Sequence, residues 1–357
     1  MTVQEMAASC RQPNREVERA ARERWDSIAK PLRGLGFLED AVVKICALTG
    51  DLDCPLAPRA VTVFCADNGV VAQGVTQTGQ EITALVAENM TRGQASICHM
   101  AAHAGAKVFP VDVGMVREVP HMSLLCHSHG RGTGDITQGP AMSRAEAESC
   151  MADGYQAART LAEGWGCRLL AAGEMGIGNT TTSSAVASVL LGEPPEELTG
   201  RGAGLSVEGL QRKVAVVRQA IGKNRPDPAD PVDVLAKVGG FDLAAMTGFY
   251  LGASASGVPV ILDGFISVTA ALAACRIAPA SAGAMLASHS SRERGSQAVL
   301  DELGLAPIII AGAVVAGCIV AAVVLWRLRR NVTIYTLQQG VPELYAKVRV
   351  SPKNPVL

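Results

Sequence analysis

Four short apolar runs, residues 60–65, 108–113, 167–172 and 258–262, each lead into an acidic residue close to a glycine. The strings at their ends are Asp67-Asn68-Gly69, Asp112-Val113-Gly114, Gly173-Glu174 and Asp263-Gly264. Enough chain separates consecutive runs for a helix, and residues 83–102 have the length of a crossover helix. Parallel strands need such crossovers, so the pattern predicts βαβ units and an α/β fold with a mostly parallel sheet flanked by helices. Four acidic strand ends then predict one shared cleft at the carboxyl edge, where open α/β sheets bind their ligands. Ahead of the first run, residues 15–28 and 38–48 read as helices interrupted at Pro31. No internal repeat of fixed period is present.

The third strand end carries the richest string, Gly173-Glu174-Met175-Gly176-Ile177-Gly178-Asn179-Thr180-Thr181-Thr182. An apolar strand precedes it, and residues 183–191, small and apolar, read as a helix. A glycine turn between strand and helix can offer backbone N–H groups and the positive helix terminus to an anion. Gly176, Gly178, Asn179 and Thr180 are therefore phosphate-binding candidates, with a tight turn and helix cap as the structural alternative. Glu174 is equally an acid/base candidate or a carboxylate stabilised at a helix start. No Gly-Lys-Ser/Thr follows, so this is not a P-loop, and the glycine spacing is wrong for a dinucleotide fingerprint.

A second glycine cluster, Gly200-Arg201-Gly202-Ala203-Gly204, precedes a helix bearing Lys213, which is placed to neutralise a phosphate or else to sit solvated at the surface. Gly239-Gly240-Phe241-Asp242 is a third such turn. Asp263 ends a strongly apolar strand and is expected to be partly buried and held by hydrogen bonds. His99 and His103 lie one helical turn apart beside Cys98, but no third ligand accompanies them, and an ordinary helix surface is the expectation. His127, His129 and His289 likewise show no metal pattern.

Charge and cysteine content narrow the partners. Lys+Arg 32 against Asp+Glu 33, with aromatics at 4%, argues against a nucleic-acid partner. The ten cysteines form no C-x-x-C pair and read as reduced thiols, and residues 1–14 lack the apolar core of a secretion signal, so a cytoplasmic location is expected. The C-terminal part differs in kind. Residues 306–326 contain no charged side chain and precede Arg327-Leu328-Arg329-Arg330. About 20 apolar residues suffice to span a bilayer, yet the arginines would then lie on the side opposite to the positive-inside tendency. Membrane contact through 306–326 and a buried or frameshifted tail both remain open.

Several longer strings occur together: Lys30-Pro31 with Leu35-Gly36-Phe37-Leu38-Glu39, Ala66-Asp67-Asn68-Gly69-Val70, Asn89-Met90-Thr91-Arg92-Gly93, and Gly139-Pro140-Ala141-Met142. With them come the 173–182 string, Lys237-Val238-Gly239-Gly240-Phe241-Asp242, Leu262-Asp263-Gly264-Phe265 and Ala271-Leu272-Ala273-Ala274-Cys275. From about residue 20 to about residue 307 the chain resembles the nicotinate-nucleotide–dimethylbenzimidazole phosphoribosyltransferase family. The resemblance implies a Rossmann-like sheet, a small helical domain built from the chain ends, and a homodimer. The corresponding division is 1–50 for the N-terminal helical part, 51–290 for the catalytic domain and 291–357 for an atypical C-terminal segment.

The implied reaction moves phosphoribose from nicotinate mononucleotide to 5,6-dimethylbenzimidazole or a related base, giving α-ribazole 5′-phosphate and nicotinate, without cofactor or metal. Glu174 would then stabilise positive charge on the ribose, while Lys213, the glycine turns (Gly176, Gly178, Gly202, Gly204), Asn179, Thr180 and Asp263 would hold the nucleotide. Thr78 and Val86 stand where the family offers the base a Ser and a Gln, and Asn68 stands for a His. The family's general-base glutamate appears here as Gly317, and no acidic residue lies between Glu302 and Glu343. The alternative is a catalytically impaired or non-catalytic homologue that binds a nucleotide or base, tethered or not to a membrane.

Overall fold

The computed structural model describes residues 1–308. Five strands, β1 (Arg59–Ala66), β2 (Ala106–Gly114), β3 (Leu169–Met175), β4 (Val260–Leu262) and β5 (Met285–Ala287), form one sheet in the order β2-β1-β3-β4-β5. Every pairing is parallel. The expected α/β plan and mostly parallel sheet are therefore what the chain adopts. The order reverses between β1 and β3: the chain first moves outward to β2, then crosses to the other side of β1. Such a switch point opens a crevice at the strand ends. The 173–182 string lies at that point.

Alternation along the strands assigns the two faces. Phe64, Ala66, Leu170 and Ala172 enter the main core, against the helices Phe241–Ser256 and Phe265–Ile277. Phe64 meets Phe249 edge-on, with ring centroids 5.5 Å apart. Val63 and Cys65 instead face Ala84, Ala87 and Met90 of the helix Glu81–Thr91. The helix Phe241–Ser256 is buried from residue 241 to 254, so it has no polar face, as expected of a helix surrounded by protein. It lies close to the helix Arg144–Arg159 because glycines face backbone there. A Cβ on Gly154, Gly248 or Gly252 would collide with the carbonyls of Ala245, Met151 and Tyr155, respectively.

Several boundaries differ from expectation. The single crossover helix over 83–102 is two helices, Glu81–Thr91 and Ser96–His103, because the chain turns at Gly93 with φ +71. The helix expected from 183 begins at Asn179, since Gly178 (φ +99) ends the turn and the three threonines enter the first turn. β5, Met285-Leu286-Ala287, carried no sequence pattern of its own, having no β-branched residue and no acid beside a glycine at its end. A helix, Val3–Ala8, starts the chain through a Thr2–Glu5 capping box. Residues 15–28 and 38–48 are realised as Arg15–Ser27 and Phe37–Thr49.

Among the described residues no helix is long and apolar enough to cross a membrane. The apolar run 306–326 reaches beyond the described residues, and Gly317 and the arginines at 327, 329 and 330 lie outside them.

Candidate active site

Glu174 is the penultimate residue of β3 and lines a cavity of about 450 Å³ together with Val61 and Val63 of β1. Val61, Val63, Ala171 and Ile261 form its floor, and Val86 with Met90 forms a wall. Asp263 and Ser288 stand at the same cavity. The floor is made of small or β-branched residues, and Gly173 leaves its own position open, with no atom within 4 Å of a would-be Cβ. A flat aromatic ring can lie on such a surface, which a leucine or phenylalanine floor would fill.

The Glu174 carboxyl does not stand alone. The Asn179 amide donates one hydrogen bond to Glu174 Oε2 and a second, 3.0 Å long, to Asp242 Oδ2. Asn179 reaches both because Gly178 turns the chain sharply back into the helix Asn179–Leu191. Asp242 is fully buried on the first turn of the helix Phe241–Ser256, where its Oδ1 also accepts the Leu243 N–H at 2.9 Å. Burial pushes the Glu174 carboxyl up to about 8, with the neighbouring Asp242 and then Asp263 adding to the rise and the Asn179 amide opposing it. Burial likewise raises Asp242 to about 6, against the hydrogen bonds from Asn179 and Leu243. Desolvation and like charge both favour the neutral acid, so the pair retains a proton near neutrality.

The glycines of the motif serve close packing. A Cβ on Gly176 would meet the Ala66 carbonyl at 2.6 Å and Asp242 Oδ2 at 2.7 Å, and one on Gly178 would meet Val71 and Asn68. Both glycines are buried, and the Ile177 N–H is taken by Thr83 Oγ1 at 3.2 Å. The turn is thus pressed against the ends of β1 and of the helix Glu81–Thr91.

Anion-holding groups lie one turn further on. Lys213, on the helix Val207–Asn224, is fully buried and donates to Thr180 Oγ1 at 2.8 Å and to the Gly200 carbonyl at 3.2 Å. The surface alternative for Lys213 is therefore excluded. Burial draws its ammonium down to about 8, and Glu293 opposes the fall. Gly202 takes φ +56, a conformation that favours glycine, and a Cβ there would come within 3.1 Å of Thr180 Oγ1 beside the ammonium. The Gly204 carbonyl accepts from Gln77 Nε2 at 2.8 Å, which docks the 76–80 segment on the same loop.

The expected residues separate into groups. Glu174, Val86 and Asp263 share the cavity, whereas Thr180 and Gly202 lie at the Lys213 ammonium and Gly204, further along the same loop, lies beside Gln77. Asn179 connects the motif to Asp242. Thr78 is exposed, its carbonyl accepting from Thr76 Oγ1, and it does not line the cavity. Asp263 departs from expectation: it is exposed, and its backbone N–H, not its carboxylate, is what Ser267 Oγ accepts, at 3.0 Å. The reason is that β4 stops at Leu262, leaving residue 263 beyond the sheet. Asp242 was visible only as part of a glycine turn; its role depends on packing. Among the described residues no group of three His, Cys, Asp or Glu side chains has metal-holding geometry.

A family model described as phosphoribosyltransferase (DBI_PRT) matches residues 10–337. A protein of Ruminiclostridium cellulolyticum named nicotinate-nucleotide–dimethylbenzimidazole phosphoribosyltransferase is 42% identical over 310 residues, covering 87% of this chain and 88% of that protein. One of the same name from Acetivibrio thermocellus is 44% identical over 286 residues, covering 80% and 81%. The crystal structure of CobT from Thermus thermophilus superposes with a TM-score of 0.79 at 42% identity, covering 84% of this chain and 89% of that one.

Proposed function

The chain belongs to this phosphoribosyltransferase family, and from that premise we propose that it moves phosphoribose from nicotinate mononucleotide to 5,6-dimethylbenzimidazole or a related base, in cobalamin biosynthesis. One observation carries the reading. The end of β3 presents a carboxyl to an apolar cavity, and the helix after it presents Thr180 to a buried lysine.

A benzimidazole ring suits the cavity over Val61, Val63 and Ala171, with Val86 against it. The 5′-phosphate is assigned to Lys213, Thr180 and the loop carrying Gly202 and Gly204, while Gly176 and Gly178 shape the turn. A benzimidazole nitrogen attacks C1′ with its lone pair as the C1′–pyridinium bond breaks. The pyridinium nitrogen keeps that bond's electrons, and nicotinate leaves with a neutral ring nitrogen. Glu174 stabilises the positive charge that develops on the ribose, and the benzimidazolium then gives up its N–H proton. A homodimer fits the exposed Leu32, Leu35, Phe37 and Leu38, apolar side chains close together in the chain.

A second reading, a homologue that binds nucleotide and base without turnover, is favoured by Gly317 at the family's glutamate position. Incubating the intact chain with nicotinate mononucleotide and dimethylbenzimidazole separates the two. Formation of α-ribazole 5′-phosphate is expected. Binding of both substrates without product, with turnover gained on Gly317→Glu, would establish the second reading instead.

A further inference from the structure

We propose that Asp242 and Asn179 are positioning residues for Glu174, which they hold at the cavity while setting when its carboxyl carries a proton. The inference rests on the role given to Glu174 above. Each Asp242 oxygen is already taken by a protein donor, so whatever Asp242 does for the reaction passes through its neighbours. Its position is rigid, with one oxygen on the Leu243 N–H and the other on the Asn179 amide. Gly176 and Gly240 are the residues that leave room for its two oxygens. The same Asn179 amide nitrogen grips Glu174, so the two carboxyls are clamped to one donor.

Both partners act on charge, in opposite directions. The Asp242 carboxylate disfavours ionised Glu174, whereas the Asn179 N–H favours it. Other titratable groups lie near this pair: Asp263 at the end of β4, Tyr250 on the Asp242 helix, Asp67 on the far side of Asp242, and Cys65 of β1, which points to the other sheet face. None is cationic, so the empty site retains its proton. A pyridinium nucleotide brings the missing positive charge, and Glu174 then ionises and releases that proton to solvent. When the C1′–N bond breaks, nicotinate departs with a neutral ring and the positive charge moves to the new benzimidazolium. Its N–H proton passes to the Glu174 carboxylate, leaving a neutral benzimidazole ring on α-ribazole 5′-phosphate and a protonated Glu174. The chain thereby supplies a proton acceptor although residue 317 is glycine.

The test uses the full chain and two measurements. Carboxyl-carbon NMR, with Glu174 assigned through Glu174→Gln, follows its titration in the empty protein. Calorimetry in buffers of different ionisation enthalpy counts protons released when nicotinate mononucleotide binds near pH 7. Wild-type Glu174 is expected to titrate near 8. Asp242→Asn is expected to lower that midpoint by about one unit or more and to cut proton release by about half or more, whereas Asn179→Ala raises the midpoint. A wild-type midpoint in the ordinary carboxylate range overturns the proposal, and so do variants that leave it unmoved or move it the same way. Should Asp242→Asn fail to fold, the wild-type midpoint and Asn179→Ala still decide. The NMR titration needs no substrate, so failure to bind the nucleotide or turn over would count against the functional reading while leaving this inference standing or falling separately.

Discussion

The ends of β1 and β2 and the ends of β3 and β4 carry the same sequence feature, an acid near a glycine, and use it differently. Asp67 accepts the Val116 N–H at 2.8 Å, and Asp112 accepts the Gly114 and Met115 N–H groups at 2.9 Å each. These acids anchor the long segment after β2, which returns over both strand ends through Thr133 to the Asp67 carbonyl and Gly132 to the Gly114 carbonyl. After β3 and β4, helices start within a few residues, at Asn179 and Phe265, and no long loop folds back. Glu174 and Asp263 are therefore left at the cavity. Whether a loop packs over a strand end decides whether its terminal acid ties down backbone or faces a ligand.

The largest test of this contrast is Glu174→Gln, expected to lower kcat by about 10²–10⁴-fold with the fold retained by circular dichroism. Unchanged turnover would mean the cavity acid is as passive as Asp112. Next, Lys213→Met should raise KM for nicotinate mononucleotide by roughly 10-fold or more with a smaller change in kcat, since a charge-assisted phosphate contact is lost. On the other side of the comparison, Asp112→Ala should cost about 1–3 kcal/mol in urea unfolding, because two backbone donors lose their acceptor, with kcat within a few-fold of wild type. A kcat collapse there would erase the distinction between the two pairs of strand ends.

The raised acid also predicts a pH trend. Glu174 binds its proton more tightly in the folded chain, from an ordinary value of 4.5 up to about 8. Its contribution to stability is thus fully present below about 4.5 and lost as pH rises toward 8, at no more than about 1.4 kcal/mol per pH unit. Thermal unfolding across that window should flatten in Glu174→Gln; a parallel slope in the variant would contradict the assignment. The smallest effect expected is at Val86→Ala, where the loss of two methyl-sized groups from a half-buried wall should raise KM for dimethylbenzimidazole by about 3–10-fold and leave KM for the nucleotide alone.

Much of the fold was legible because its cues are local. Short apolar runs with helix-length gaps marked four of the five strands, and the glycine turn after the third announced a helix, although it starts at Asn179 and not at 183. β5 escaped because Met285-Leu286-Ala287 has no β-branched residue and does not lead into an acid beside a glycine, and the break at Gly93 was hidden inside a pattern that still looked helical. At the site, Glu174 and Lys213 stood out beside glycine turns. Asp263 was misjudged, since an apolar run does not say where its strand stops pairing. Asp242 had no assigned role, because nothing near it in the chain shows that its oxygen will lie 3.0 Å from the Asn179 amide.

The sequence by itself determined the parallel α/β plan and the family of motifs, since strand spacing, glycine turns and residue type act over a few neighbours. Tertiary structure alone decided which strand-end acids meet the cavity, that Lys213 is enclosed on Thr180, and that Glu174 shares a donor with Asp242. The physical reason is desolvation and long-range pairing. A carboxyl's charge state depends on its surroundings in space, and for Glu174 those come from β4, from the Phe241–Ser256 helix and from the turn after its own strand.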